Sequence, residues 1–311
     1  MVTAKKHKPA AELEYEDADG TIYPLTWPTR QLTQVSGLGM PPIQHWTTRA
    51  PFQHGRSHWG YAWQPRVITV TLFLRGCGSR ADMYAKRMAN AAMLSPALGA
   101  GKLRLILTTG HKYELHDVWF TGGYELSSQE QPEPAVQMGG LQLTAYDPFW
   151  KWTTSPLDAG ETRDAEGRTC VETSTFVQVD ELDLPFIGPF LLGTTRSTAT
   201  LNCTNDGGEA TKPVITVEGP TDDFVFNNPA NSTYLSFDGY SIAAGEVVTF
   251  DIPDKTITNA AGDNLITYVG GNFGTFALEP GLNALAFESS GSAVNLTTTI
   301  SCCWYVELVG V

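Results

Sequence analysis

Three histidines in one short stretch are the first residues whose types could do chemistry: His45, His54 and His58. His54 and His58 are four residues apart, and imidazoles at that spacing on a helix can share a metal ion. Pro51 and Gly55 disfavour a helix at this point. In an extended chain His54 and His58 would still lie on one face. The simpler interpretation is that the three histidines are polar side chains in an aromatic loop. We therefore expect no metal and no cofactor here.

Three tryptophans, Trp46, Trp59 and Trp63, lie among these histidines. Aromatic side chains in an irregular segment either fill a core or anchor an interface, and the sequence leaves both alternatives open. The segment 37–65 is long, dense in Pro and Gly, and without periodicity, so we expect an irregular loop, a feature that is usually functional. The candidate interface residues are Trp46, His54, His58, Trp59 and Trp63.

Motifs of known enzyme classes are missing. The sequence contains no G-x-x-x-x-G-K-[ST], no H-E-x-x-H and no G-x-S-x-G. Acidic pairs such as Asp222 and Asp223 could suggest glycosidase carboxylates, but charge runs in loops are usually solvated. We expect no catalytic residues and no enzyme.

The five cysteines are scattered and form no CxxC: Cys77, Cys170, Cys203, Cys302 and Cys303. An odd number without metal-ligand spacing predicts buried free thiols and no disulfide framework. Alternation along a final strand would place Cys302 and Cys303 on opposite faces.

Charge divides the 311 residues into two halves. The net charge is −13; 14 Lys/Arg against 12 Asp/Glu lie at or before Trp150, and 6 against 21 lie after it. Both the length and this asymmetry predict two domains. The acidic second half argues against a nucleic-acid surface there. No stretch of about 18 apolar residues occurs, so we expect no membrane anchor.

The first half reads as a β-rich α+β domain, 1–150, with a single helix. Residues 66–75 are apolar on both faces, which predicts a central strand covered twice. Ser79 is a suitable N-cap for a helix over 80–94. Its stripe of Tyr84, Met88, Ala91 and Ala92 predicts that this face lies on a sheet.

The second half reads as all β. Residues 151–177 are polar and acidic and are expected to be a connector or insertion. In the domain 178–311, turn signals at a spacing of about ten residues are typical of a sandwich or jelly roll. The candidate strands are 198–204, 213–218, 223–227, 233–237, 246–252, 265–269, 274–278, 283–288 and 293–309.

The order of short motifs over nearly the whole chain resembles the siphophage distal tail protein (Dit) family. The most specific piece is 145–150 (AYDPFW), which would close the first domain. The other pieces are 37–42 (GLGMPP), 66–70 (RVITV), the helix ending at 94–96 (LSP), 205–207 (NDG), 211–220 (TKPVITVEGP), 244–246 (AGE) leading to Asp251, 278–283 (LEPGLN) and 304–305 (WY).

The resemblance implies a structural virion protein of the tail tip, assembled in the host cytoplasm. Residues 1–150 would be a belt domain whose copies close into a hexameric ring, and 178–311 a galectin-like β-sandwich. The ring would link the tail tube protein to the tail-tip hub or tail-associated lysin, with a channel for the tape measure and DNA, and could anchor receptor-binding proteins.

The competing hypothesis is a sandwich that binds a host cell-wall glycan. Sugar sites need an exposed aromatic platform with polar neighbours. Tyr234, Tyr240, Tyr268 and Phe273 could provide one, although each could equally be a core residue.

Overall fold

The computed structural model describes residues 11–26, 30–75, 79–126, 136–154, 162–180, 195–289 and 298–311. The chain divides into two units: Met1–Pro156 with Leu308–Val311, and Leu157–Glu307. The expected flexible lead, 1–11, lies outside the described residues except for its last residue. Cys77 also lies outside them. None of the described helices is long and apolar enough to cross a membrane.

The first unit is built on antiparallel strands and one α-helix, α1 (Arg80–Met93), followed by a 3-10 turn, Pro96–Leu98. Its strands are β1 (Ala11–Glu16), β2 (Ile22–Pro24), β3 (Arg30–Ser36), β4 (Ile43–Thr48), β5 (Ser57–Trp63), β6 (Arg66–Arg75), β7 (Gly101–Leu107), β8 (Lys112–Leu126), β9 (Val136–Ala145) and β10 (Trp150–Thr154).

The main sheet of this unit runs β2-β1-β7-β8-β9-β6-β3, with β10 paired to β8. Its core consists of aliphatic side chains from alternate strand positions, the end of α1 and the fully buried Trp150. This alternation is what an antiparallel sheet with one packed face requires.

Strand β6 is central, between β3 and β9, but it is covered on one face only. Ile68, Val70 and Leu72 are buried, whereas Val67 and Thr69 on the opposite face are exposed. The expectation of two covered faces was wrong. An apolar residue on the open face of a sheet costs little, so composition alone did not reveal which face packs.

Helix α1 begins where the sequence predicts, because the Ser79 hydroxyl accepts a hydrogen bond from the backbone N–H of Asp82 at 3.1 Å. The predicted packing stripe was wrong. Tyr84 is 55% and Met88 74% exposed, and the buried helix residues are Asn90 and Met93. The helix packs by its C-terminal end, which leaves its apolar stripe open.

The segment 37–65 is not irregular throughout. It contains the two-stranded antiparallel sheet of β4 and β5, called here the β4–β5 hairpin. The prediction failed because the strand residues are aromatic and polar on both faces, with no apolar alternation that would reveal a period of two.

In its described residues the second unit is all β, apart from two 3-10 turns, Ile266–Tyr268 and Phe273–Thr275. Its strands are β11 (Thr162–Arg163), β12 (Thr169–Thr173), β13 (Val177–Asp180), β14 (Thr195–Asn205), β15 (Val214–Glu218), β16 (Phe224–Asn228), β17 (Thr233–Phe237), β18 (Val247–Asp251), β19 (Thr256–Asn259), β20 (Val269–Gly271), β21 (Gly281–Ser289) and β22 (Thr299–Trp304). A last strand, β23 (Val306–Leu308), ends in the residue at which the chain re-enters the first unit.

Two six-stranded antiparallel sheets form this unit, in the orders β11-β12-β22-β15-β18-β19 and β13-β14-β21-β16-β17-β20. Their inner residues make one core, centred on phenylalanines such as Phe224, whose ring lies 5.9 Å from that of Phe250 in the other sheet. The mainly β class with a single helix is confirmed for the described residues.

Two strand predictions in this unit were wrong, because 265–269 is largely the 3-10 turn Ile266–Tyr268, and 274–278 begins in the 3-10 turn Phe273–Thr275 and continues without a strand. Both candidates contain short apolar runs, which periodicity cannot distinguish from turns packed on a core. Strand β19 was not foreseen. Within 151–177, β12 pairs with β22, so part of the expected connector is sheet.

Cys170 and Cys303 form a disulfide, against the expectation of free thiols only. They lie directly opposite each other on β12 and β22, with Cα atoms 4.1 Å apart. A separation of 133 residues hides this pairing from the sequence. Cys203 and Cys302 are buried free thiols.

Candidate interaction surface

The β4–β5 hairpin is held by its own register and by its turn. Ile43 lies opposite Trp63 at the base, and the register shifts between Trp46 and Thr47, where β5 carries one extra residue. In the turn, the Gln53 side chain accepts from the N–H of Ala50 at 2.9 Å. The hairpin therefore has a defined shape although its side chains are largely exposed.

The tryptophans of the hairpin are turned outward. Trp46 is 52% exposed and lies over Gly60, whose missing side chain leaves room for the indole ring. Trp59 is 74% exposed, and its indole N–H donates to the Thr48 hydroxyl at 2.6 Å. Tyr61 is also half exposed. Of the two alternatives for these aromatics, core or interface, the structure excludes the monomer's own core for Trp46 and Trp59.

Trp63 has a different place, at the base of the hairpin. It is half-buried and meets Phe149 edge-on, with ring centroids 6.2 Å apart, and it meets Tyr61 edge-on at 6.0 Å. Trp63 thereby joins the hairpin to the 145–150 motif, in a geometry that aromatic pairs favour. Through these contacts Trp63 supports the base of the hairpin.

The histidines do not combine as their spacing suggested. His58 meets His45, with 3.2 Å between His58 Nε2 and His45 Nδ1. His54 lies in the exposed turn between the strands. The four-residue spacing misled because the partner of His58 comes from the opposite strand.

Arg66, three residues after the end of β5, is a buried cation that the sequence analysis did not identify. It is 1% exposed, and its guanidinium donates to the carbonyls of Gly37, Leu38 and Gly39 at one end. At the other end it donates to the carbonyls of Pro148 at 2.8 Å and Val309 at 2.7 Å. One side chain thus joins the start of 37–65, the 145–150 motif and the chain's last residues.

Burial lowers the pKa of Arg66 to about 10, so the guanidinium remains charged at neutral pH. Trp150 lies 5.7 Å from it in a cation–π contact and donates its own N–H to the Leu38 carbonyl. Gly37 has to be glycine, because it has a positive φ and a Cβ there would lie 2.1 Å from the Val67 carbonyl oxygen. Two of the sequence motifs, 37–42 and 145–150, are therefore the walls of one arginine site.

Charge distinguishes the hairpin from the rest of its unit. No Asp or Glu occurs between Asp19 and Asp82, whereas Arg49 and Arg56 lie on the hairpin. The strands β1 and β2 with their turn carry five acids and no Lys or Arg: Glu12, Glu14, Glu16, Asp17 and Asp19. Asp17 is buried and Glu16 is ion-paired with Arg104, so Glu12, Glu14 and Asp19 are the acids left on these strands and their turn with exposed or half-exposed side chains.

Comparison with known proteins bears on the class of this chain. Residues 206–301 match the family model described as a siphovirus-type tail component, C-terminal domain (SPP1_Dit). No curated protein sequence matches significantly. The crystal structure of the Dit protein of phage SPP1, described as a paradigm of the hub adsorption apparatus in phages infecting Gram-positive bacteria, matches with a TM-score of 0.63. That match has 12% identity and covers 94% of this chain and 98% of that chain.

Weaker likenesses are to the phage P2 baseplate in its activated conformation. The structure with Ca has a TM-score of 0.49, 11% identity and coverage of 94% and 97% of the two chains. The structure with Sr has a TM-score of 0.47, 10% identity and the same coverage.

The resemblance to siphophage distal tail proteins is confirmed. The family model carries it over 206–301, and the fold agrees over nearly the whole chain. The class of protein that this chain resembles is therefore that of siphovirus-type tail components.

Proposed function

We propose that this chain is the ring-forming subunit of a tail tip, in which six copies of the belt domain, 1–150, close around a channel for the tape measure and DNA. The ring joins the tail tube protein to the tail-tip hub or tail-associated lysin and offers sites for receptor-binding proteins. It assembles in the host cytoplasm and catalyses no reaction. The family resemblance supports each of these points.

The observation that carries the ring is the open β4–β5 hairpin. Among the described strands, β4 and β5 pair only with each other, so both outer edges and much of both faces are available. A lone two-stranded hairpin is marginally stable in water. Burying its aromatic surface yields about 25 cal/mol per Å² of apolar area. Contact with a second copy would provide that burial, with Trp46, His54, His58, Trp59 and Trp63 at or beside the interface.

The charges of the first unit favour a head-to-tail contact of this kind. A closed ring repeats one interface between two different surfaces of the same subunit. The cationic hairpin of one copy and the acids Glu12, Glu14 and Asp19 of the next are two such surfaces. Their attraction would set the orientation and be weakened by salt.

The test is the oligomeric state of the full chain, by native mass spectrometry and light scattering over a range of concentrations. We expect a closed oligomer, consistent with six copies, for the wild type. The double variant Trp46→Ala/Trp59→Ala should be shifted towards monomer. Tyr234→Ala, which removes an exposed aromatic from the second unit, is the matched control. A wild type that stays monomeric at high concentration, or a double variant that assembles like the control, would refute the proposal.

The alternative, a glycan-binding sandwich, has less support in the structure. Of its four candidate aromatics, Tyr234 is about half exposed, and Tyr240, Tyr268 and Phe273 pack against the core. A single exposed ring is a small platform for a sugar. A cell-wall pull-down with the full chain tests this function, and retention that is lost in Tyr234→Ala would favour it.

A further inference from the structure

The β-bulge of the hairpin determines the position of His58. His45 and Thr47 are two residues apart on β4 and so share a face. The extra residue of β5, Trp59, places His58 opposite Thr47. Without the bulge, His58 would lie opposite Thr48, on the other face. The bulge therefore makes His45 and His58 diagonal neighbours, and redirecting a side chain is a recognised role of bulges.

The two imidazoles meet through nitrogen atoms that can each offer a lone pair. His45 Nδ1 and His58 Nε2 are 3.2 Å apart, and both side chains are exposed. Zinc–imidazole bonds are about 2.0–2.1 Å long, so two nitrogens on one ion at tetrahedral or right angles are separated by about 2.9–3.4 Å. The distance between these two nitrogens falls in that range.

We propose that His45 and His58 form a two-histidine site for a divalent transition-metal ion on the β4–β5 hairpin. The donors are neutral imidazoles, and the hairpin sequence offers no carboxylate. Such a site selects Cu²⁺, Ni²⁺ or Zn²⁺ over Ca²⁺ and Mg²⁺, which prefer oxygen ligands. Since Cu²⁺ lies highest in the affinity order of these ions, it should bind most tightly.

The surroundings set limits on the affinity. Arg56 lies near this face, since its guanidinium donates to the Thr47 hydroxyl at 3.4 Å. Its charge opposes a bound cation, and two protein ligands leave the remaining coordination positions to water. In the unliganded chain one imidazole N–H donates to the other ring. Binding of the ion replaces that hydrogen bond.

The probe is CuCl₂, added to the full chain at a concentration low enough to keep it monomeric. The number of Cu²⁺ ions bound per chain is measured by titration calorimetry. The ligand atoms of the bound ion are identified by electron paramagnetic resonance. We expect one equivalent with two-nitrogen hyperfine structure. His45→Ala and His58→Ala should each lose it or bind at least tenfold more weakly. His54→Ala, on the same hairpin, and His7→Ala, which controls for the N-terminal segment, should both retain it.

Equal binding by wild type, His45→Ala and His58→Ala would refute the site, and so would a loss confined to His54→Ala. Both positions are exposed, and circular dichroism of the variants shows whether the fold persists. The measurement counts ions per chain and does not require a ring, so the site and the proposed assembly can fail separately.

Discussion

Arg66 links three segments that are far apart in the sequence, through hydrogen bonds to their backbone carbonyl groups. Its partners lie 29, 82 and 243 residues away. A guanidinium suits this place because its planar array of five N–H donors can serve several acceptors at fixed angles. A lysine offers three donors from a single point.

At the residue scale, we expect Arg66→Met to lower the free energy of unfolding of the first unit by at least about 3 kcal/mol, because it removes several hydrogen bonds from a charged donor, each of which contributes about 1.5–3 kcal/mol. Arg66→Lys should recover only part of this loss. Urea denaturation followed by tryptophan fluorescence measures both. Arg56→Ala on the exposed hairpin is the control; if Arg66→Met were as mild as this control, the joining role would be wrong.

A second residue-scale prediction concerns Glu114 on β8. Burial raises the pKa of Glu114, but hydrogen bonds from His116 and Arg104, together with the charges of both, outweigh burial and lower it to about 2. Its ionised form therefore stabilises the folded state above the ordinary carboxylate pKa, and this contribution is lost as pH falls towards 2. Burial, the largest influence, lowers the pKa of His116. Protonation of this buried ring at low pH therefore destabilises the folded state.

Both groups thus predict a first unit that loses stability as the pH falls, from about 6.5 for His116 and from about 4.5 for Glu114. Thermal unfolding measured between pH 8 and pH 3 tests this. Glu114→Gln should lower the melting temperature at pH 7 and make it less dependent on pH below 4.5. An equally steep acid dependence in this variant would show that other carboxylates dominate.

At the element scale, helix α1 provides a direct test of which face is buried. Met93 is 3% exposed and Met88 is 74% exposed. Met93→Ala should cost about 2–5 kcal/mol, as is usual for buried methionine, and Met88→Ala should cost less than about 0.5 kcal/mol. The sequence stripe predicts the reverse order. Chemical denaturation of the two variants, which carry the same change, decides between them.

The sequence predicts an element when the residues that determine it are close together in the chain. The Ser79 cap and strand β17 are local patterns, and both were found where predicted. The β4–β5 hairpin was missed because its period is hidden by exposed aromatics and a bulge. The contacts of Arg66 and the Cys170–Cys303 disulfide depend on tertiary pairing. For the candidate site, the sequence indicated the tryptophans but not the histidine pair, which needs the register of β5 to be known.

At the scale of the whole molecule, the disulfide distinguishes the two units. Cys170 and Cys303 both belong to the unit Leu157–Glu307, and the bond encloses most of it. Closing so long a loop restricts the unfolded chain and typically stabilises a fold by about 2–4 kcal/mol. The first unit contains neither cysteine, so its unfolding should not depend on this bond.

Calorimetry of the full chain should therefore show two transitions that respond differently to reduction. Dithiothreitol, or the variant Cys170→Ser/Cys303→Ser, should lower the melting temperature of the second unit by roughly 5–15 °C. The transition of the first unit, identified by its shift in Arg66→Met, should stay in place. Cys203→Ser provides a control that alters a buried free thiol within the second unit and leaves the bond intact. If reduction moved both transitions together, the units would unfold as one cooperative body; if it moved neither, the bond would contribute no stability.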